Sequence, residues 1–203
     1  EEIRLRSFCN FNFILRSYPL LNSNNKLYSS QNVFLIGPMG VGKTTIGKML
    51  AKELGLQFID TDEEVERRAG ANIAWIFDVE GEEGFRTRET NVLDDLTQQS
   101  KVLLATGGGS ILKLENRRFI GSRGGVVSLE TTVEMQIKRT EKDKKRPLLQ
   151  QGDPREILTR LKAERDPIYQ ELADIRITLG DSNSRKVVNS IIRKLEQENY
   201  IKA

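Results

Sequence analysis

Gly37-Pro38-Met39-Gly40-Val41-Gly42-Lys43-Thr44 directly follows the apolar run Val33 to Ile36 and leads into helical periodicity from Lys43 to Leu54. The pattern is G-x-x-x-x-G-K-[ST] in the setting its chemistry requires, after a buried strand and at the start of a helix. Glycines let successive backbone N–H groups turn inward around phosphate oxygens, and the helix N-terminus adds the positive end of its dipole. On this reading Gly40, Val41, Gly42, Lys43, Thr44 and Thr45 form a nucleotide cradle. Lys43 is directed at the β- and γ-phosphates, and the Thr44 hydroxyl at Mg²⁺. The plain alternative is a glycine-rich turn with an incidental lysine. A dinucleotide-binding reading fails, because Lys43-Thr44 stands where a third glycine is expected.

Working outward from this loop, short β-rich apolar runs alternate with stretches of helical length. Asn32 to Ile36, Gln57 to Asp60, Lys101 to Ala105, Gly125 to Leu129 and Asp174 to Thr178 read as buried strands. Helices are expected over Lys43 to Leu54, Asp62 to Ala69, Glu83 to Gln98, Thr132 to Thr140, Pro154 to Leu172 and Ser184 to Glu198. The alternation predicts an α/β domain with a parallel sheet, spanning residues 31–203.

Composition narrows the chemistry. The 203 residues include no His and a single Cys. That excludes His-dependent nucleophilic systems, His-ligated zinc, internal disulfides and thiol redox pairs. Carboxylates, Arg, Lys, hydroxyls and backbone amides remain, a set suited to moving an anionic group. The net charge of +3 is too thin an excess to predict a nucleic-acid partner. The longest apolar runs are too short to span a bilayer.

Several further groups stand at positions where such chemistry occurs. Asp60-Thr61-Asp62 ends the second strand, at the edge where open α/β sheets bind ligands. Its carboxylates can serve a metal-bound water and an acceptor hydroxyl, or simply cap the next helix. Arg86 has Glu82 at i−4 and Glu89 at i+3, which by itself reads as a surface ion pair. Thr106-Gly107-Gly108-Gly109 lets a ligand lie against bare backbone, or makes a tight turn. Lys138 to Arg146 holds six basic residues in nine and reads either as a solvated charge run or as a lid over phosphates. Arg165 is either a cation compensating a helix end or a fork for a carboxylate. Trp75, Phe77, Ile73 and Val79 read as core or an apolar wall.

Taken in order, the phosphate loop, Asp60-Thr61-Asp62, Gly84-Phe85-Arg86-Thr87-Arg88-Glu89, Ala105-Thr106-Gly107-Gly108-Gly109, Arg146-Pro147-Leu148-Leu149 and Glu164-Arg165-Asp166-Pro167 closely resemble the shikimate kinase family. That family is a small branch of the nucleoside monophosphate kinase-like P-loop proteins. The resemblance runs from about Asn32 to about Leu195. It implies a three-layer P-loop kinase fold, with a five-stranded parallel sheet between helices, a mobile lid at about residues 140–152 and a helical substrate-binding region. The implied reaction is Mg²⁺-dependent transfer from ATP to the 3-hydroxyl of shikimate, in the route to chorismate and aromatic amino acids. Residue by residue, the resemblance makes Asp62 the acceptor-side base and Asp60 the partner of Thr44 around hydrated Mg²⁺. Arg86 and Arg165 would hold the shikimate carboxylate, with Gly108 against the substrate. Arg146 would meet the transferring phosphate and Arg139 would stack on adenine. Asn183 stands where the family pattern places a Gln near adenine.

Residues 1–30, basic and rich in Asn, Ser and aromatics, show no sustained period and are expected to lie outside the fold. A cloning or gene-boundary remnant and an organelle transit peptide are the two readings of this segment. A cytoplasmic monomer with small-molecule partners is the expectation for the remainder.

Overall fold

Alternate residues of Val33–Ile36 (β1) enter two different apolar layers. Val33 and Leu35 enter one, Phe34 and Ile36 the other, and all four are fully buried. A strand covered on both faces has no solvent side, so it reads as an unbroken apolar run. The computed structural model describes residues 32–141, 149, 152–180, 183–198 and 200.

Within these, β1 is followed by α1 (Lys43–Leu54), β2 (Gln57–Asp60), α2 (Thr61–Ala69), α3 (Ile73–Thr97), β3 (Val102–Ala105), α4 (Leu114–Arg123), β4 (Gly125–Glu130), α5 (Val133–Thr140), α6 (Pro154–Leu172), β5 (Ile175–Thr178) and α7 (Ser184–Gln197). A single 3₁₀ turn, Ser110–Leu112, joins β3 to α4. The five strands form one sheet in the order β2-β3-β1-β4-β5. Every pairing is parallel, with Leu35 opposite both Ala105 and Val127. Helices α1 and α7 cover one face, where Leu50, Val188, Ile191 and Leu195 pack on Leu35 and Leu103. On the other face Val65, Leu93, Ile120 and Tyr169 meet Phe34, Ile36 and Leu104. Since β1 lies between β3 and β4, connections leave its carboxyl end toward opposite sides, opening a crevice there. Among the described residues no helix is long and apolar enough to cross a membrane.

Buried Asn32 locks the opposite edge. Its Nδ2 donates to the Gln99 carbonyl (2.6 Å), and its Oδ1 accepts from the Val102 N–H (3.1 Å), so one side chain joins the start of β1 to the start of β3.

Two helical segments depart from the sequence expectation. Helix α4 shows no apolar stripe because its inward residues are Ile120 and the polar Asn116. Asn116 tolerates burial because its Nδ2 donates to the Ser110 carbonyl at 2.9 Å. The first part of α3 is also helical, capped by Asn72, whose side chain accepts from the Trp75 N–H at 2.8 Å. It buries Ile76 and leaves Trp75 52% and Val79 60% exposed, so those two side chains are not core. The halves of α3 meet at Gly81, where φ is 71° and ψ −176°. Only glycine adopts that region at little cost, and the bend lets the second half lie along the sheet independently of the first. Gly81→Ala is expected to lower the unfolding free energy by about 1–3 kcal/mol, read as a reduced urea midpoint at unchanged slope.

Candidate active site

The carboxyl ends of β1, β2 and β3 open into a cavity of about 450 Å³, within the range for small-ligand sites. Lys43, Thr44, Asp60, Asp62, Gly108 and Arg139 all reach its wall, together with the rest of the loop from Gly40 to Thr45. The ammonium of Lys43 donates to the Gly37 carbonyl (2.7 Å) and the Pro38 carbonyl (2.9 Å), so it lies inside the curve of the loop. Helix α5 covers the loop from above. Gln136 Nε2 donates to the Met39 carbonyl (2.9 Å) and Arg139 Nη1 to the Val41 carbonyl (2.9 Å).

Asp60 caps the next helix, as one reading expects, and also bonds the phosphate loop. One carboxylate oxygen accepts from the Asp62 N–H (3.1 Å) and caps α2, while the other accepts from the Thr44 hydroxyl at 2.7 Å. The Thr44–Asp60 pair presents hard oxygen atoms, the donor type Mg²⁺ prefers. Among the described residues no group of three or more His, Cys, Asp or Glu forms a metal cage.

Arg86 is buried, which corrects the surface ion-pair reading. Its Nη1 donates to Glu89 at 2.8 Å, and its Nε and Nη2 donate to Glu82 at 3.3 and 3.2 Å. Burial works against the guanidinium charge, but Glu89 and Glu82 outweigh it and hold the Arg86 pKa above arginine's usual value. Among the described residues these bonds use three of the five N–H groups of the arginine, leaving one on each terminal nitrogen. Glu89 is itself fully buried, and its second oxygen accepts from the Ser110 hydroxyl at 2.5 Å. Sequence reasoning placed Glu89 beside Arg86 but missed that it anchors the arginine to the turn after β3; the i, i+3 spacing was the available signal.

The triple glycine is where these groups converge. A Cβ on Gly107 would lie 2.7 Å from both Asp62 Oδ1 and Glu89 Oε1. A Cβ on Gly109 would lie 2.7 Å from Arg86 Nη1 and 2.8 Å from its Cζ. Gly108 backs onto the phosphate loop, its own Cβ position being 3.3 Å from Met39 N. Two of the glycines thus make room for functional side chains of the protein.

Arg165 lies in the body of α6, which continues through Pro167 to Leu172, so its role as a helix-end cation does not hold. It is only 6% exposed, and its Nε has no hydrogen-bond partner among the described residues. A second, much smaller cavity beside the first is lined by Arg165, Tyr169, Gln136 and Met39. Asn183, expected near adenine, caps a helix beside the large cavity. Its Oδ1 accepts from the Arg185 N–H at 2.9 Å as the cap of α7, and Gly180 and Ser184 form part of the cavity wall. A helix start needs such an acceptor, and Asn is among the best. Arg146 lies outside the described residues, as does most of the expected lid.

The shikimate kinase family model matches residues 39–196. The chain belongs to the shikimate kinase family. A shikimate kinase of Vibrio cholerae is 54% identical over 167 residues, 82% of this chain and 96% of that protein. Among solved structures, shikimate kinase from Acinetobacter baumannii in complex with shikimate is similar with a TM-score of 0.81 and 48% identity, covering 86% of this chain and 97% of that one. Shikimate kinase from Aquifex aeolicus has a TM-score of 0.73 and 37% identity, with 83% and 98% covered. Gly109→Ala is expected to push the Arg86 guanidinium off Glu89 and to destabilise the protein by about 1–3 kcal/mol, seen as a lower thermal midpoint.

Proposed function

We propose that this protein transfers the γ-phosphoryl group of ATP to the 3-hydroxyl of shikimate, giving shikimate 3-phosphate and ADP. The observation that carries the reading is the sequence and structural likeness to shikimate kinases over most of the chain. The site geometry supports it: Asp62 shares one cavity with the phosphate loop, and Arg86 flanks the same triple-glycine turn. ATP binds along the loop, with Lys43 exchanging the Gly37 and Pro38 carbonyls for phosphate oxygens. Arg139, which already bonds the loop backbone, borders the nucleoside side. Thr44, and Asp60 through water, would hold Mg²⁺, which would supply charge neutralisation at the phosphates.

On the acceptor side, Arg86 and Arg165 bind the shikimate carboxylate through guanidinium forks, and Gly108 lies against the ring. With the carboxylate fixed, one hydroxyl faces Asp62. That carboxylate takes the hydroxyl proton as the new O–P bond forms and the bond to the ADP oxygen breaks. Catalysis here rests on positioning and charge rather than a strong base, which suits a chain without histidine. The protein works as a cytoplasmic monomer.

ADP release with ATP and Mg²⁺, measured with shikimate, with gluconate and without acceptor, tests this reading. Release dependent on shikimate is expected; preference for gluconate, or ATP binding without turnover, sinks it. Asp62→Asn is expected to reduce kcat by about 10²–10⁴-fold with little change in ATP affinity. Equal losses in both would remove Asp62 as the base. Arg86→Lys is expected to raise the shikimate KM about tenfold or more, because lysine keeps the charge but not the fork; an unchanged KM would place Arg86 outside the site.

A further inference from the structure

Tyr169 is 2% exposed in the body of α6, one helical turn beyond Arg165, and its hydroxyl donates to the Gly108 carbonyl at 2.5 Å. No other side chain of α6 makes a hydrogen bond to the triple-glycine turn among the described residues. Gly108 forms part of the wall between the two cavities: it lines the larger, while Tyr169 and Arg165 line the smaller. A glycine has no side chain with which to fix its own peptide plane, so the orientation of this wall must come from a partner.

We propose that Tyr169 is a positioning residue for the acceptor substrate, orienting the Gly108–Gly109 peptide and holding it in register with Arg165. The peptide is trans, so the Gly109 N–H points away from the carbonyl that Tyr169 holds. Fixing one end of the plane therefore aims the other. Arg165 and Tyr169 share one face of a rigid helix at i and i+4. The same hydroxyl thereby fixes the distance between the carboxylate-binding arginine and the backbone on which the substrate rests. Burial pushes the Tyr169 hydroxyl well above the usual tyrosine pKa, with Arg165 opposing the shift and Asp166 and Glu89 adding to it. The hydroxyl thus keeps the proton this hydrogen bond needs to higher pH than a free tyrosine does.

The inference rests on the proposed reaction, and the test separates the two. In Tyr169→Phe the ring and its packing stay while the hydroxyl is lost. The expected result is a shikimate KM raised about three- to tenfold, as for loss of one hydrogen bond, with the ATP KM within about twofold. Direct calorimetric titration of shikimate should show the same loss. Replacing Tyr169 by 3-fluorotyrosine, which keeps the hydroxyl, should restore the wild-type KM. A purely structural role would lower thermal stability and active fraction without separating the two KM values. An unchanged shikimate KM in Tyr169→Phe, a parallel rise in both KM values, or failure of the fluorotyrosine protein to rescue would overturn the inference. Wild-type protein without shikimate turnover would overturn the proposed reaction and this inference together; normal wild-type turnover with an unmoved Phe variant would overturn this inference alone.

Discussion

Three consecutive residues without side chains, Gly107 to Gly109, occupy the point where β3, the phosphate loop, α2, α3 and α6 come together. Steric exclusion at this point governs the rest of the site. The Asp62 and Glu89 carboxylates press against Gly107, the Arg86 guanidinium lies on Gly109, and the Tyr169 hydroxyl holds Gly108. Any Cβ at Gly107 or Gly109 would displace a charged group from contact distances under 3 Å. Protein interiors offer little slack for such a shift.

Around this bare turn the charges are arranged in shells. Buried Glu89 bonds to Arg86 and to Ser110, so the arginine is tied both to its own helix and to the segment that follows β3. An isolated guanidinium at this depth would be costly, whereas a paired and hydrogen-bonded one is tolerated and held in one orientation. Asp60 works similarly at β2, capping a helix with one oxygen and bonding Thr44 with the other. Arg86 and Asp60 are thus each held in one orientation by neighbouring groups.

Much of the architecture was legible because local signals carried it. The apolar runs of β1, β3 and β4 could only be buried strands, and the phosphate loop between β1 and α1 placed the nucleotide end of the site. The missed segments lacked such signals. Helix α4 buries Asn116 where an apolar residue would have marked the stripe, and the first part of α3 is apolar around its circumference while exposing Trp75 and Val79. Asn183 carries a role its resemblance did not suggest: its side chain caps α7.

The sequence by itself determined the strand–loop–helix cradle, the acidic end of β2 and the triple glycine, because each depends on residues adjacent along the chain. It also excluded histidine chemistry, internal disulfides and thiol redox pairs by composition. Tertiary structure alone decided that Arg86 is a buried, doubly anchored cation rather than a surface ion pair, that Arg165 is buried at the wall of the second cavity, and that Tyr169 reaches Gly108 across 61 positions of sequence. Burial and long-range hydrogen bonding depend on which elements pack together. That packing follows from the strand order of the sheet, which no local pattern encodes.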